Sequence, residues 1–373
     1  MGIGRFAFTP VLPLMQDDYA MGVADAGWLA ASNYVGYLLG SLAAALLHAR
    51  PASAIRAGLV AIAALTAAMA VFTGFVPWLV LRGLAGFASA FVFIAVSAWT
   101  LEKLAALDRP LLNATVYAGV GSGIVGAGLI CVAVVHLDLG SMHAWLALGG
   151  VALLPSLAMW RFYSSPRPVH TPAAAPRAKL VWNGERLRLV LAYGFFGFGY
   201  ILPATFLPAM AKQSLADPRL FIWSWPIFGA AAAVSTFALA ALPKSFDLRR
   251  AWMGAQVAMA IGVALPLVLS GGWAIAVSAL SVGGTFMVIT AAAMQEARKV
   301  APHQANAFIA AMTAAFALGQ IAGPIAVSLL AGTRGEFATP LVLAAVLLIA
   351  GAALLVRRQS AVFTVTHAKE DTP

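Results

Sequence analysis

Eleven runs of about twenty mostly apolar residues follow one another along this chain, at 27–48, 55–74, 76–101, 111–135, 141–163, 187–211, 220–243, 251–270, 273–295, 304–331 and 337–356. A helix rises about 1.5 Å per residue, so each run can cross the roughly 30 Å hydrocarbon core of a bilayer. Residues 1–15 form a twelfth, shorter run. The composition agrees, with 62% of residues hydrophobic and only 10% charged. A soluble domain carries about 25% charged residues, and a chain this apolar could not cover itself with polar surface. Lipid must be the solvent for most of it. The expectation is an all-α membrane protein with twelve spans.

The polar stretches organise these spans. "SSPRPVHTPAAAPRAK" (164–179) is rich in Pro and Arg and predicts a linker. It divides the chain into an N-terminal six-helix half (1–163), a central loop (164–186), a C-terminal six-helix half (187–358) and a tail (359–373). Basic residues collect on the cytoplasmic side of membrane proteins. With the N-terminus in the cytoplasm and the spans alternating, 18 Lys and Arg fall on the cytoplasmic side. Only Lys212, Arg219 and Arg334 fall outside, while Arg5 and Arg82 lie within spans. Sidedness thus explains the net charge of +10 without a nucleic-acid partner. Both termini are expected in the cytoplasm of a bacterial cell bounded by its inner membrane. The single cysteine, Cys131, excludes an intramolecular disulfide, and the six histidines show no zinc spacing. No nucleophile–base or metal constellation appears, so no cofactor and no enzymatic activity are expected. "GSGIVG" (121–126) matches a dinucleotide fingerprint in letters only, because no strand or turn precedes it.

The chain also repeats itself. "GIGRFAFTPVLPLM" (2–15) returns as "GFGYILPATFLPAM" (197–210), an offset of 195. At the same offset Trp78 meets Trp273, Phe91 meets Phe286 and Lys103 meets Arg298. At 193, Asn113 and Ala114 meet Asn306 and Ala307, and Gly126 meets Gly319. Six spans separate the copies, so both run in the same direction. A parallel repeat of two six-helix halves is a known transporter plan. The first copy has only Met1 ahead of Gly2, where the second has "LRLVLAYGFF" (187–196). A natural protein that begins upstream of Met1 is therefore expected.

Twelve spans, a parallel six-plus-six repeat and a basic central loop resemble the major facilitator superfamily. The opening segment and "AGWLAASNYVGYLLGSLAA" (26–44) look more narrowly like its YbfB/YjiJ-type bacterial members. The resemblance implies secondary transport of a small solute by alternating access, with the lipid bilayer and a coupling proton or ion as partners and a monomeric state. "RGLAG" (82–86) is similar to a pattern of the fourth span. Two departures weigh against drug efflux. Ala44 stands where the loop after the second span often has Asp, and the fifth span lacks a Gly-Pro pair, which appears instead as Gly323-Pro324.

Candidate residues follow from polarity in an apolar setting. A charge at mid-membrane costs about 3 kcal/mol even on the lower scales, so Arg5 and Arg82 mark a pathway or a partner. Arg5 lies about 15 Å of helix from Met15, near the membrane midplane, and Thr9 shares its face. The repeat sets Tyr200 opposite Arg5. Asn33 with Tyr37, Asn113 with Tyr117, and Trp225 complete the expected substrate-binding set. Pro10, Pro13, Pro203 and Pro208 predict bends in the first and seventh spans, because proline removes a backbone donor. Gly123, Gly126, Gly319 and Gly323 predict close helix contacts that can slide or bend, with Gly119 and Gly123 as one G-x-x-x-G pair. Arg5 without a buried acid points to a small organic anion, carboxylate-like, as solute. Efflux of amphipathic or drug-like compounds by proton antiport is the alternative. A non-transporting assembly or sensor protein on the same scaffold is the third.

Overall fold

The computed structural model describes residues 2–46, 51–105, 110–160, 180–215, 217, 219–241, 246–330 and 337–356. The expected linker 164–179 and tail 359–373 lie outside the described residues. Among these there are thirteen α-helices and no strand: α1 (Gly2–Phe6), α2 (Phe8–Tyr19), α3 (Val23–Leu46), α4 (Pro51–Val71), α5 (Phe75–Ala105), α6 (Pro110–His136), α7 (Ser141–Ala158), α8 (Gly184–Ser214), α9 (Ser224–Ala240), α10 (Leu248–Val268), α11 (Gly272–Val300), α12 (Ala305–Leu330) and α13 (Ala338–Leu354). Nine described segments are long and apolar enough to cross a membrane, and α13 is a shorter apolar helix.

Apolarity located the helices but not their ends. The third helix begins at Val23 rather than 27, with Asp25 in its first turn, where the helix dipole favours a negative charge. The last residues of the expected central loop belong to α8. Asn183 caps that helix, accepting from the Arg186 amide at 2.8 Å, with Glu185 in the first turn. Similarly, α11 runs past 295 to Val300 and ends on Arg298 and Lys299. Each extension carries at least one charged residue.

The first apolar run is broken into α1 and α2 at Ala7. Pro10 explains the position, since its ring crowds the carbonyl four residues back, at Phe6. By contrast, α8 stays continuous through Pro203 and Pro208.

Three seams join α1–α7 to α8–α13: α6 with α9, α3 with α12, and α2 with α8. Small residues allow the closest of these. A Cβ on Gly121 would lie 2.6 Å from the Ala233 nitrogen, and one on Gly128 would lie 2.6 Å from the Pro226 ring. At the α1–α6 contact, a Cβ on Gly2 would come 2.6 Å from the Gly123 Cα. The matched contact in the second copy is Gly197 against the Phe316 carbonyl. Gly319 abuts the Gly194 carbonyl and Gly323 abuts Ile201. The expected packing roles of Gly119 and Gly126 are not observed, since neither has anything within 4 Å of a would-be Cβ. Both lie on the face of α6 turned away from Gly121 and Gly128, so the packing pattern uses those residues instead.

Candidate functional site

The polar centre forms where α1 and α2 meet α8 and α12. Arg5 is 6% exposed. Its Nη2 donates to Gln320 Oε1 at 2.7 Å, and Gln320 Nε2 donates to the Tyr200 hydroxyl at 2.9 Å. Gln320 therefore links the two residues that the repeat sets opposite each other. Three rings surround the guanidinium, with its carbon 4.4 Å from the Tyr37 centroid, 5.2 Å from Phe6 and 5.3 Å from Tyr34. The Arg5 Nε is buried with no acceptor among the described residues.

Arg82 comes from α5 and sits over the Phe8 ring, 4.8 Å from its centroid. Its Nη2 donates to the Arg5 carbonyl at 3.3 Å, beside the α1–α2 break. Asn33 reaches the same place from α3, donating from Nδ2 to the Arg82 carbonyl at 2.8 Å. Arg82 and Asn33 thus hold backbone in place around Arg5, and Tyr37 lies against the guanidinium itself. No described ion pair involves Arg5 or Arg82. The pairs present are Lys212 with Asp17, Arg219 with Asp138, Arg249 with Glu185 and Glu296, and Arg250 with Asp247, all toward helix ends.

The prolines act on the same centre. Pro208 has no N–H to offer the carbonyl of Ala204, and Thr9 Oγ1 donates to that carbonyl at 2.8 Å. Next to it the Tyr34 hydroxyl and Thr205 Oγ1 lie 3.1 Å apart. Such partners are what irregular backbone in lipid requires.

The other expected residues are more scattered. Tyr117 is half-buried on α6, and the side chain of Asn113 lies outside the described residues. Trp225 is fully buried on α9, stacked on Phe228 with centroids 4.9 Å apart, and its Nε1 has no partner among the described residues. It stands 6.4 Å from Phe6 and belongs to the aromatic packing around the centre.

Sequence reasoning missed Tyr34 and Thr205 of the centre and three further buried polar groups. Gln320 is the first. Gln256 accepts from Trp252 Nε1 at 2.8 Å and donates to the Leu348 carbonyl at 3.1 Å. Arg249, 3% exposed, joins Glu185 at 2.6 Å, Glu296 at 3.5 Å and the Leu355 carbonyl at 2.9 Å. A lone amide within an apolar run was the available signal for both glutamines.

A helical membrane bundle with two sequence-related segments meeting at a buried polar centre defines a transporter, surrounded by bilayer and carrying a small molecule. The particular family follows from comparison: the sequence model described as "Uncharacterised MFS-type transporter YbfB" matches residues 1–356, and the chain belongs to that family of the major facilitator superfamily. No curated protein matched the chain. Among solved structures it is similar to a bacterial homolog of the human lysosomal transporter Spinster, captured in an inward-facing and occupied conformation. The TM-score is 0.74 at 15% identity, over 95% of this chain and 92% of that one, a likeness of fold.

Proposed function

We propose that this transporter carries a small organic anion across the bacterial inner membrane, holding its carboxylate on Arg5. The observation that carries the reading is a half-filled fork. Nε and Nη2 form one edge of a guanidinium, spaced for the two oxygens of a carboxylate. At Arg5 the single amide oxygen of Gln320 meets Nη2, and Nε is left without an acceptor. A carboxylate in place of that amide oxygen fills both positions. It also neutralises a cation that has no acidic partner among the described residues, in surroundings where an uncompensated charge costs about 3 kcal/mol or more.

In this reading α1 and α2 together serve as the first of twelve spans, and residues 1–163 and 187–358 act as two halves moving about the solute. The chain works as a monomer with both termini in the cytoplasm. Six hydrogen bonds between described residues join α1–α7 to α8–α13. Arg5–Gln320, Thr9–Ala204 and Tyr34–Thr205 lie at the centre. Lys212–Pro13, Arg219–Asp138 and Ser328–Ala24 lie toward the outer face.

The test is transport and binding by Arg5 variants. Arg5→Ala abolishes binding of the anion in a protein that still folds and inserts. Arg5→Lys keeps the charge, loses the fork and transports poorly. Wild-type transport by Arg5→Ala overturns the anion reading and favours efflux of amphipathic compounds.

A further inference from the structure

We propose that the solute carries a planar aromatic ring on its carboxylate, making aromatic monocarboxylates the substrate class. This rests on the anion reading of Arg5 and adds to it the shape of the remaining part of the solute.

Six rings from α8, α9, α11 and α12 follow one another with nearly parallel planes. Trp225 and Phe228 are 4.9 Å apart at 16°, Phe228 and Phe286 5.9 Å at 18°, and Phe286 and Tyr200 5.6 Å at 14°. Tyr200 and Phe316 continue at 5.7 Å and 12°, and Phe316 and Tyr193 at 5.0 Å and 24°. Phe196, tilted 31° against both Tyr200 and Phe316, and Trp252, edge-on to Tyr193, flank this run, so the alignment holds from ring to ring along it and not through the whole cluster. Phe91, the repeat partner of Phe286, is instead tilted 37° against Phe87. The aligned rings therefore belong to one side of the site, and the cation comes from the other.

Phe316 is half-buried, while Tyr193, Tyr200 and Phe286 are buried. It lies four residues before Gln320, on the same face of α12. That is one turn of α12, about 6 Å of rise, from the residue whose amide oxygen occupies the Arg5 fork. A ring bonded directly to a carboxylate held in that fork reaches Phe316 within the turn. Tyr37, also half-buried, covers the guanidinium at 4.4 Å. Phe316 already stands between Tyr200 and Tyr193 in the run, and a flat ring meeting its exposed part adds an aromatic contact, whereas a puckered ring of the same size gains buried area alone. An offset-stacked pair is worth roughly threefold to tenfold in affinity beyond area alone.

The experiment titrates the full chain in detergent with benzoate, cyclohexanecarboxylate and benzyl alcohol, following heat of binding and thermal shift. Benzoate binds roughly threefold to tenfold tighter than cyclohexanecarboxylate, and benzyl alcohol does not compete. Phe316→Leu brings the affinities for the two acids to within about twofold of each other, and Phe316→Tyr keeps the preference. Equal binding of the two acids, both lost in Arg5→Ala, overturns the ring assignment and leaves the anion reading standing. Benzyl alcohol binding as tightly as benzoate, unaffected by Arg5→Ala, overturns the anion reading. Absence of binding by either acid overturns both.

Discussion

Thr9 Oγ1 donates a 2.8 Å hydrogen bond to the carbonyl of Ala204, and these two residues are 195 apart, the offset of the repeat itself. A position and its own copy therefore touch, on the line about which the two repeated segments are related. The carbonyl is available because Pro208 cannot donate to it. Thr9→Val keeps the shape and removes the donor, leaving a buried carbonyl unpaired. The expected loss is about 1 kcal/mol, typical of interhelical hydrogen bonds in membranes. Pro208→Ala restores an N–H to the helix, so Thr9→Val costs less in that background. Unfolding of the four proteins in mixed micelles measures the difference, and an unchanged cost would separate Thr9 from the proline.

The same seam is also tied by Lys212, which pairs with Asp17 and donates to the Pro13 carbonyl at 3.1 Å. Movement of the two sides has to break that tie. Cysteines at Asp17 and Lys212 in a Cys131→Ser background, joined by a short reducible bis-thiol reagent, should stop transport. Reduction should restore it. Uninterrupted transport by the crosslinked protein would remove this seam from the moving parts.

Arg249 and Arg250 are neighbours in sequence and opposites in setting. The first is buried against Glu185 and Glu296, and the second has a side chain 84% exposed beside Asp247. Breaking a buried pair leaves an uncompensated charge and costs about 3 kcal/mol, whereas an exposed pair contributes about 0–1 kcal/mol. Arg249→Ala should therefore lower the detergent melting temperature clearly and Arg250→Ala hardly at all.

Orientation has a direct check. Trp182, just ahead of α8, is assigned to the cytoplasmic side, and Asp217, between α8 and α9, to the outer side. Both are exposed. In sealed cells lacking Cys131, an impermeant thiol reagent should label a cysteine at 217 and spare one at 182. The reverse pattern inverts the topology.

Much of the scaffold was legible because lipid imposes a simple rule: a crossing must be apolar for about twenty residues. The repeat was legible because Gly2, Gly197, Pro13 and Pro208 keep their places in both copies. The ends of α3, α8 and α11 were not, since the turns that extend them carry charged residues and obey capping and dipole preferences instead. Arg5 stood out as a charge in an apolar run. Gln320 did not, because a neutral amide disturbs hydropathy little and its meaning lies in contacts 315 residues away in sequence. The same holds for Gly119 and Gly126: a spacing rule lists small residues without saying which side of the helix meets a neighbour.

The contact between Thr9 and Ala204 has a consequence for how a solute can lie in the protein. Two identical copies arranged about one axis would confront guanidinium with guanidinium and would offer any guest two interchangeable orientations. Joining unlike copies in a single polypeptide removes that degeneracy. A cation stands on one side, and a phenol with its neighbouring rings stands on the other. A guest that distinguishes a cation from a phenol then has one way to sit between them.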